Sequence, residues 1–152
     1  MSWNEAANYL LAEKLDPTAA LRYANRSIEI EDRYDNEITR SRVLTTLNRR
    51  GEAATAEDKA MVLASPLQIH AYARQLLGEN RSQEAFAIFR ENARKHPDQW
   101  FVHTGLARMY SAQGKFDDAA KEMKAALAAA PDDQKSYLDG LVRQLEAKQD
   151  IN

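Results

Sequence analysis

The stretch that decides the fold is residues 97–131, PDQWFVHTGLARMYSAQGKFDDAAKEMKAALAAAP, two helical runs joined at Gly114 and bounded by Pro97 and Pro131, 34 apart in sequence. Within it, apolar residues recur every three to four positions from Val102 to Tyr110 and again from Phe116 to Ala126. That spacing paints one stripe on each of two helices. Gly114 falls between the runs, where a left-handed residue ends a helix without steric penalty. The same frame recurs upstream: Ala85 and Ala119 stand at the same interval as the two prolines, and Ser65-Pro66 opens the preceding unit as Trp100 opens this one. A repeated helical hairpin of this length cannot bury its apolar stripe alone, so it stacks on its neighbours.

The punctuation extends the pattern to the whole chain. Asp16-Pro17, Gly51, Ser65-Pro66, Gly78, Pro97, Gly114 and Pro131 cut it into segments of about a dozen residues, and nine helices are predicted. Asp16-Pro17 and Ser65-Pro66 each pair a side-chain acceptor with a proline whose missing N–H costs nothing at the first helical position. Asn80 is expected to end the helix carrying Leu76 and Leu77. In the second repeat Gly51 and Ala56 are read as the counterparts of Gly114 and Ala119, and in the first Ala20 takes the alanine's place, so the alanine intervals run 36, 29 and 34. The final segment, Gln134 to Lys148, places Tyr137, Leu138, Leu141, Val142 and Leu145 on one face and is expected to be a solubilising cap.

The residues from Trp100 to Pro131 closely resemble the tetratricopeptide repeat: Leu106, Ala107, Tyr110, Gly114, Phe116, Ala119, Met123, Ala126 and Pro131 fall at its signature offsets, with His103 replacing an aromatic. Ile69, Tyr72, Ala73, Leu76, Ala85, Phe89 and Pro97 do the same one unit earlier, with Asn92 where a small residue is usual. The fold this implies is all-α: a right-handed superhelical stack of about four hairpins, with repeats at about 1–34, 35–65, 66–99 and 100–133, a cap helix at about 134–148, and a single domain over 1–152. The runs YARQLL (72–77), 84–131 and LEAKQDIN (145–152) are also similar to the C-terminal helical part of a family of uncharacterised bacterial proteins. Those proteins are predicted to be exported and carry a β-rich domain ahead of this region. This narrower likeness implies a fragment of a larger protein, one that is periplasmic or otherwise exported.

Composition excludes several function classes. Twenty-one Lys and Arg against 23 Asp and Glu leave a net charge of −2 with the signs interspersed, which does not suit a nucleic-acid or polybasic membrane binder. No apolar run is long enough for membrane insertion and the N-terminus lacks the features of a signal peptide. There is no cysteine, hence no disulfide or thiolate metal site. Three histidines occur, of which His70 and His103 stack on adjacent units, but no carboxylate pair stands at ligand spacing; no metal and no cofactor are expected. Glycine-rich phosphate loops and nucleophile elbows are absent, and the pairs Glu31-Asp32, Asp117-Asp118 and Asp132-Asp133 read as helix-terminal charges, so the chain is not expected to be an enzyme.

The family resemblance implies a protein- or peptide-binding scaffold whose concave face is lined by the first helix of each hairpin. Carried over by position, that groove comprises Tyr9, Thr45, His70, Arg74, Phe101, Thr104 and Arg108, together with Glu5, Ala12, Ser41, Leu67 and Leu77. Arg74 and Arg108 occupy the same repeat position, and guanidinium groups in such a pair suit bidentate recognition of carboxylates. Glu5 and His70 stand where the family's chaperone-binding subset needs basic or amide residues, so that clamp is not expected. Trp3 near an open end makes association into a homo-oligomer the alternative role.

Overall fold

In a computed structural model that describes all 152 residues, the chain folds into nine α-helices and no strand. Two compact units, Met1–Ala64 and Ser65–Asn152, divide it. The first holds α1 (Trp3–Ala12), α2 (Pro17–Ile30), α3 (Tyr34–Thr46) and α4 (Arg50–Leu63). The second holds α5 (Pro66–Gly78), α6 (Ser82–Lys95), α7 (Trp100–Ala112), α8 (Phe116–Ala129) and α9 (Asp132–Glu146). Consecutive helices pair as α1–α2, α3–α4, α5–α6 and α7–α8, and α9 packs on α8. The all-helical hairpin architecture is the one the repeats predict.

The helix starts have local causes. Asp16 accepts from the amides of Thr18 and Ala19, each at 2.9 Å, ahead of Pro17. Ser2 with Glu5 and Ser65 with Gln68 form capping boxes, in which cap hydroxyl and third-residue side chain satisfy each other's backbone N–H.

The ends of the odd-numbered helices share one device. Lys14, Asn48, Asn80, Gly114 and Lys148 all have positive φ, between 52° and 71°. The residue after each sends its amide back five residues, from Leu15 to Leu10, Arg49 to Leu44, Arg81 to Leu76, Lys115 to Tyr110 and Gln149 to Gln144. Each helix therefore closes in a Schellman-type turn. The left-handed residues are spaced 34, 32, 34 and 34 apart.

This ruler corrects the register expected for the first half. Gly51 lies inside the first turn of α4, and the left-handed residue is Asn48. Five residues past a turn stand Ala19, Ala53, Ala85 and Ala119, all buried, so the counterparts of Ala85 are Ala19 and Ala53 rather than Ala20 and Ala56. The register expected for the second repeat lies three residues, nearly one turn, too far along. Ser41 falls at the position of Ala73 and Ala107 and is buried accordingly, not displayed in a groove. Asp32, where the repeat's proline would stand, precedes a different closure: Asn36 Nδ2 donates to the carbonyls of Glu31 at 2.7 Å and Ser27 at 3.4 Å, satisfying the end of α2.

In the second unit one apolar cluster runs through Ala107, Ala119, Met123, Ala126, Leu138, Leu141, Leu145 and Ile151. Asn92, at the small-residue position, is buried and ties α6 to the start of α5 by a 2.9 Å bond from Nδ2 to the Pro66 carbonyl. No helix is long and apolar enough to cross a membrane.

Candidate functional site

The second unit contains a recess of about 160 Å³ between α5, α7 and α9. Counting back from each left-handed turn, His70, Thr104 and Leu138 occupy one repeat position, and Arg74, Arg108 and Val142 another, four residues further along. On a helix, a four-residue step stays on the same face. That shared face of α5 and α7 forms the recess, with Tyr137, Leu138 and Leu141 contributed by α9.

Gly105 sets how closely the walls approach. A Cβ there would lie 2.5 Å from Phe89 Cδ1 and 3.2 Å from His70 Nδ1. Only a residue without a side chain lets α7 meet the Phe89 ring and the imidazole at this distance. His70 is thereby enclosed, its ring centroid 5.6 Å from that of Phe89 and 5.8 Å from that of Phe101. Its Nδ1 makes no hydrogen bond. Burial first, then the nearby positive charges of Arg74 and Arg108, push its pKa down to about 4, so the imidazole is neutral at physiological pH.

Of the residues expected to line a groove, six meet at this recess: Leu67, His70, Arg74, Phe101, Thr104 and Arg108. The structure gives the two arginines different surroundings. Arg74 is exposed, whereas Arg108 is 7% exposed. Arg108 Nη1 donates to the Ile151 carbonyl and Nη2 to Tyr137 Oη at 3.2 Å. Both acceptors are formally neutral, and no carboxylate lines the recess. Burial, followed by repulsion from Arg74, lowers the pKa of Arg108 against smaller opposing effects of Tyr137 and Asp150. The Thr104 hydroxyl is committed to the Phe101 carbonyl at 2.7 Å.

Tyr9 and Thr45 lie in the first unit. Tyr9 is exposed on α1, one residue past Asn8, which holds the position of Arg74. Thr45 is exposed at the position of Leu77 and Ser111, its hydroxyl donating to the Ser41 carbonyl at 3.0 Å. His103 does not join His70: its Nδ1 lies 2.8 Å from Glu122 Oε2 on α8.

Two contributors do not stand out in the sequence. α9 is the terminal helix the sequence predicts, and Lys148 follows Gly114 at the interval that separates Gly114 from Asn80, so α9 stands where the first helix of a further repeat would, with Tyr137 on the recess. The non-helical segment Asp150–Asn152 returns to α7, where Ile151 is buried. Beside it a second recess of about 240 Å³ is lined by Arg74, Leu77, Gly78, Arg108 and Asn152.

Residues 76–145, from within α5 to near the end of α9, match the family model of the tetratricopeptide repeat. Repeats of this family generally mediate protein–protein interaction. No curated protein and no solved structure matches the chain.

Proposed function

We propose that this chain is a non-enzymatic scaffold that binds a segment of a partner protein in the recess between α5, α7 and α9, recognising a carboxylate beside an apolar side chain. The observation that carries this reading is the buried guanidinium of Arg108, which has Arg74 for a neighbour and only uncharged hydrogen-bond acceptors. A buried charge without a directly bonded counterion is costly, and a ligand carboxylate would supply that partner. Leu67, Trp100, Phe101, Leu138 and Leu141 line the same recess and suit an adjacent aliphatic or aromatic group.

The test is fluorescence anisotropy with labelled peptides pairing Asp or Glu with a neighbouring Leu or Phe, against matched Asn or Gln versions. Acidic peptides are expected to bind, and Arg74→Glu and Arg108→Met each to weaken binding at least tenfold. Equal binding of the amide versions, or no effect of Arg74→Glu, overturns the reading.

The likeness of residues 72–77, 84–131 and 145–152 to exported bacterial proteins supports a second placement, as the helical accessory part of a longer chain. The reading frame around the natural gene decides that point. Self-association through the first unit is the alternative use, motivated by Trp3, which packs on Tyr23 at 5.4 Å yet stays 45% exposed. A sedimentation coefficient independent of concentration removes it.

A further inference from the structure

The contacts of Asp150–Asn152 resemble those of a bound peptide. Ser111 Oγ donates to Asp150 Oδ1 at 2.6 Å and accepts the Ile151 amide at 3.1 Å. Arg108 Nη1 donates to the Ile151 carbonyl, and Asn152 Nδ2 donates to the Arg108 carbonyl at 3.1 Å. Both main-chain groups of one residue, Ile151, are thus read by side chains of a single helix, α7. A helical residue spends those groups on its own helix, so this geometry selects non-helical backbone. The Ile151 side chain joins Ala107, Leu141 and Leu145 in the apolar cluster; the flanking acid and amide each bond to α7, and Asn152 Nδ2 also donates to Asp150 Oδ1 at 2.7 Å.

The two α7 side chains stand on the face expected to bind partners: Arg108 in the recess, and Ser111 one turn on at the position of Leu77. Burial tends to raise the pKa of Asp150, but bonds from Ser111, Asn152 and the Ile151 amide overcome it and hold the carboxyl below its usual range.

Building on the peptide-binding reading above, we propose that the Arg108–Ser111 face of α7 is a main-chain-reading peptide subsite specific for an acidic residue, an aliphatic residue and an amide residue in that order. Asp150–Asn152 occupies it in cis, and a partner segment of the same chemistry displaces it. The turn at Lys148 tethers the occupant two residues from its first contact, so its effective concentration is in the millimolar range or above. A partner must compete with that.

The test uses the full chain with Asp150→Ser and Ile151→Gly, which empties the subsite while keeping α9 and its turn, and a free peptide of residues 147–152, AKQDIN. The peptide is titrated into labelled protein and followed by the amide resonances of Arg108 and Ser111. Saturable shifts in the emptied variant, at least tenfold tighter than in the unmodified chain and lost when Ser111→Ala is added, are expected. No saturable shift in an emptied variant whose helical circular dichroism is intact overturns the proposal, as does equal affinity for the unmodified chain. If the acidic panel above binds in an Arg74-dependent way while AKQDIN does not, only this inference fails. If neither binds, both readings fail.

Discussion

Replacing Gly105 with alanine tests whether the approach of α7 to α5 and α6 is as tight as the recess requires. In an exposed helix interior the change gains about 0.8–1 kcal/mol of helix propensity. Here the new methyl carbon would begin 2.5 Å from Phe89 Cδ1, against a favourable carbon–carbon separation of roughly 3.5–4.0 Å. The ring must retreat by about 1 Å to restore ordinary contact. Phe89 is 1% exposed and packed against His70, so its retreat displaces buried neighbours. Overpacking of this kind costs about 1–3 kcal/mol. Taking the upper part of that range, because the clash is with a rigid ring, the net effect is a destabilisation of about 1–2 kcal/mol.

Gly140→Ala is the internal control. A Cβ on Gly140 in α9 meets nothing within 4 Å, so the propensity gain stands alone and stability rises by up to about 1 kcal/mol. Urea denaturation should be followed through Trp100, the sole tryptophan of the second unit, with Trp3→Phe as the common background. With a slope of about 2 kcal/mol per molar urea, the midpoint falls by roughly 0.5–1 M for Gly105→Ala and rises slightly for Gly140→Ala. Should the two variants stabilise alike, the close approach described here is wrong, and the enclosure of His70 with it.

Two further outcomes follow from single side chains. His70 has a folded pKa near 4 against 6.5 unfolded, so between those values the unfolded chain takes up a proton that the folded chain refuses; stability is full above about pH 6.5 and falls by about 2–3 kcal/mol on acidification to about pH 4.5. His70→Phe removes that part of the slope, measured by urea midpoints across the range. At the helix ends, Lys14→Gly relieves a left-handed lysine and stabilises by about 1 kcal/mol, whereas Gly114→Ala imposes the same strain and destabilises by a similar amount, both read from denaturation midpoints.

The second unit is legible because its residue types advertise its geometry. Gly114 and Asn80 are residues that tolerate left-handed backbone, and Ala73, Ala85, Ala107 and Ala119 permit close packing. The first unit uses the same backbone with less telling residues. Lys14 takes the left-handed conformation with a side chain that does not mark it, and Gly51, a glycine without conformational need, draws attention away from Asn48. α3 also buries Asn36, Glu37, Thr39 and Ser41, so its apolar stripe is broken by polar residues. Glu37 is fully enclosed, with Arg40 Nη1 at 3.5 Å and Lys59 Nζ at 3.6 Å supplying its counter-charge. Periodicity of apolar residues cannot reveal a position that is buried by ion pairing. In the candidate site, positional transfer finds the arginines but not their environments. Burial of Arg108 depends on Tyr137 of α9 and on Ile151, at sequence separations of 29 and 43, beyond the reach of any local pattern.

That difference between Arg74 and Arg108 bears on how such a site works. Two solvated arginines would each pair weakly with any passing carboxylate, since exposed ion pairs contribute about 0–1 kcal/mol. Arg108 has already been desolvated by folding and its side chain is held by Tyr137 and the Ile151 carbonyl, so a ligand carboxylate meets a guanidinium whose dehydration and ordering need not be repeated on binding. The cost appears instead in the stability of the free protein. Arg108→Met should therefore cost the unliganded fold less than removal of a buried, hydrogen-bonded group ordinarily does, since the lost donor to Ile151 is offset by the loss of a desolvated charge and of its repulsion with Arg74. A variant that weakens peptide binding while leaving the denaturation midpoint nearly unchanged places Arg108 in recognition; a large fall in both would make it a structural strut for the segment after α9.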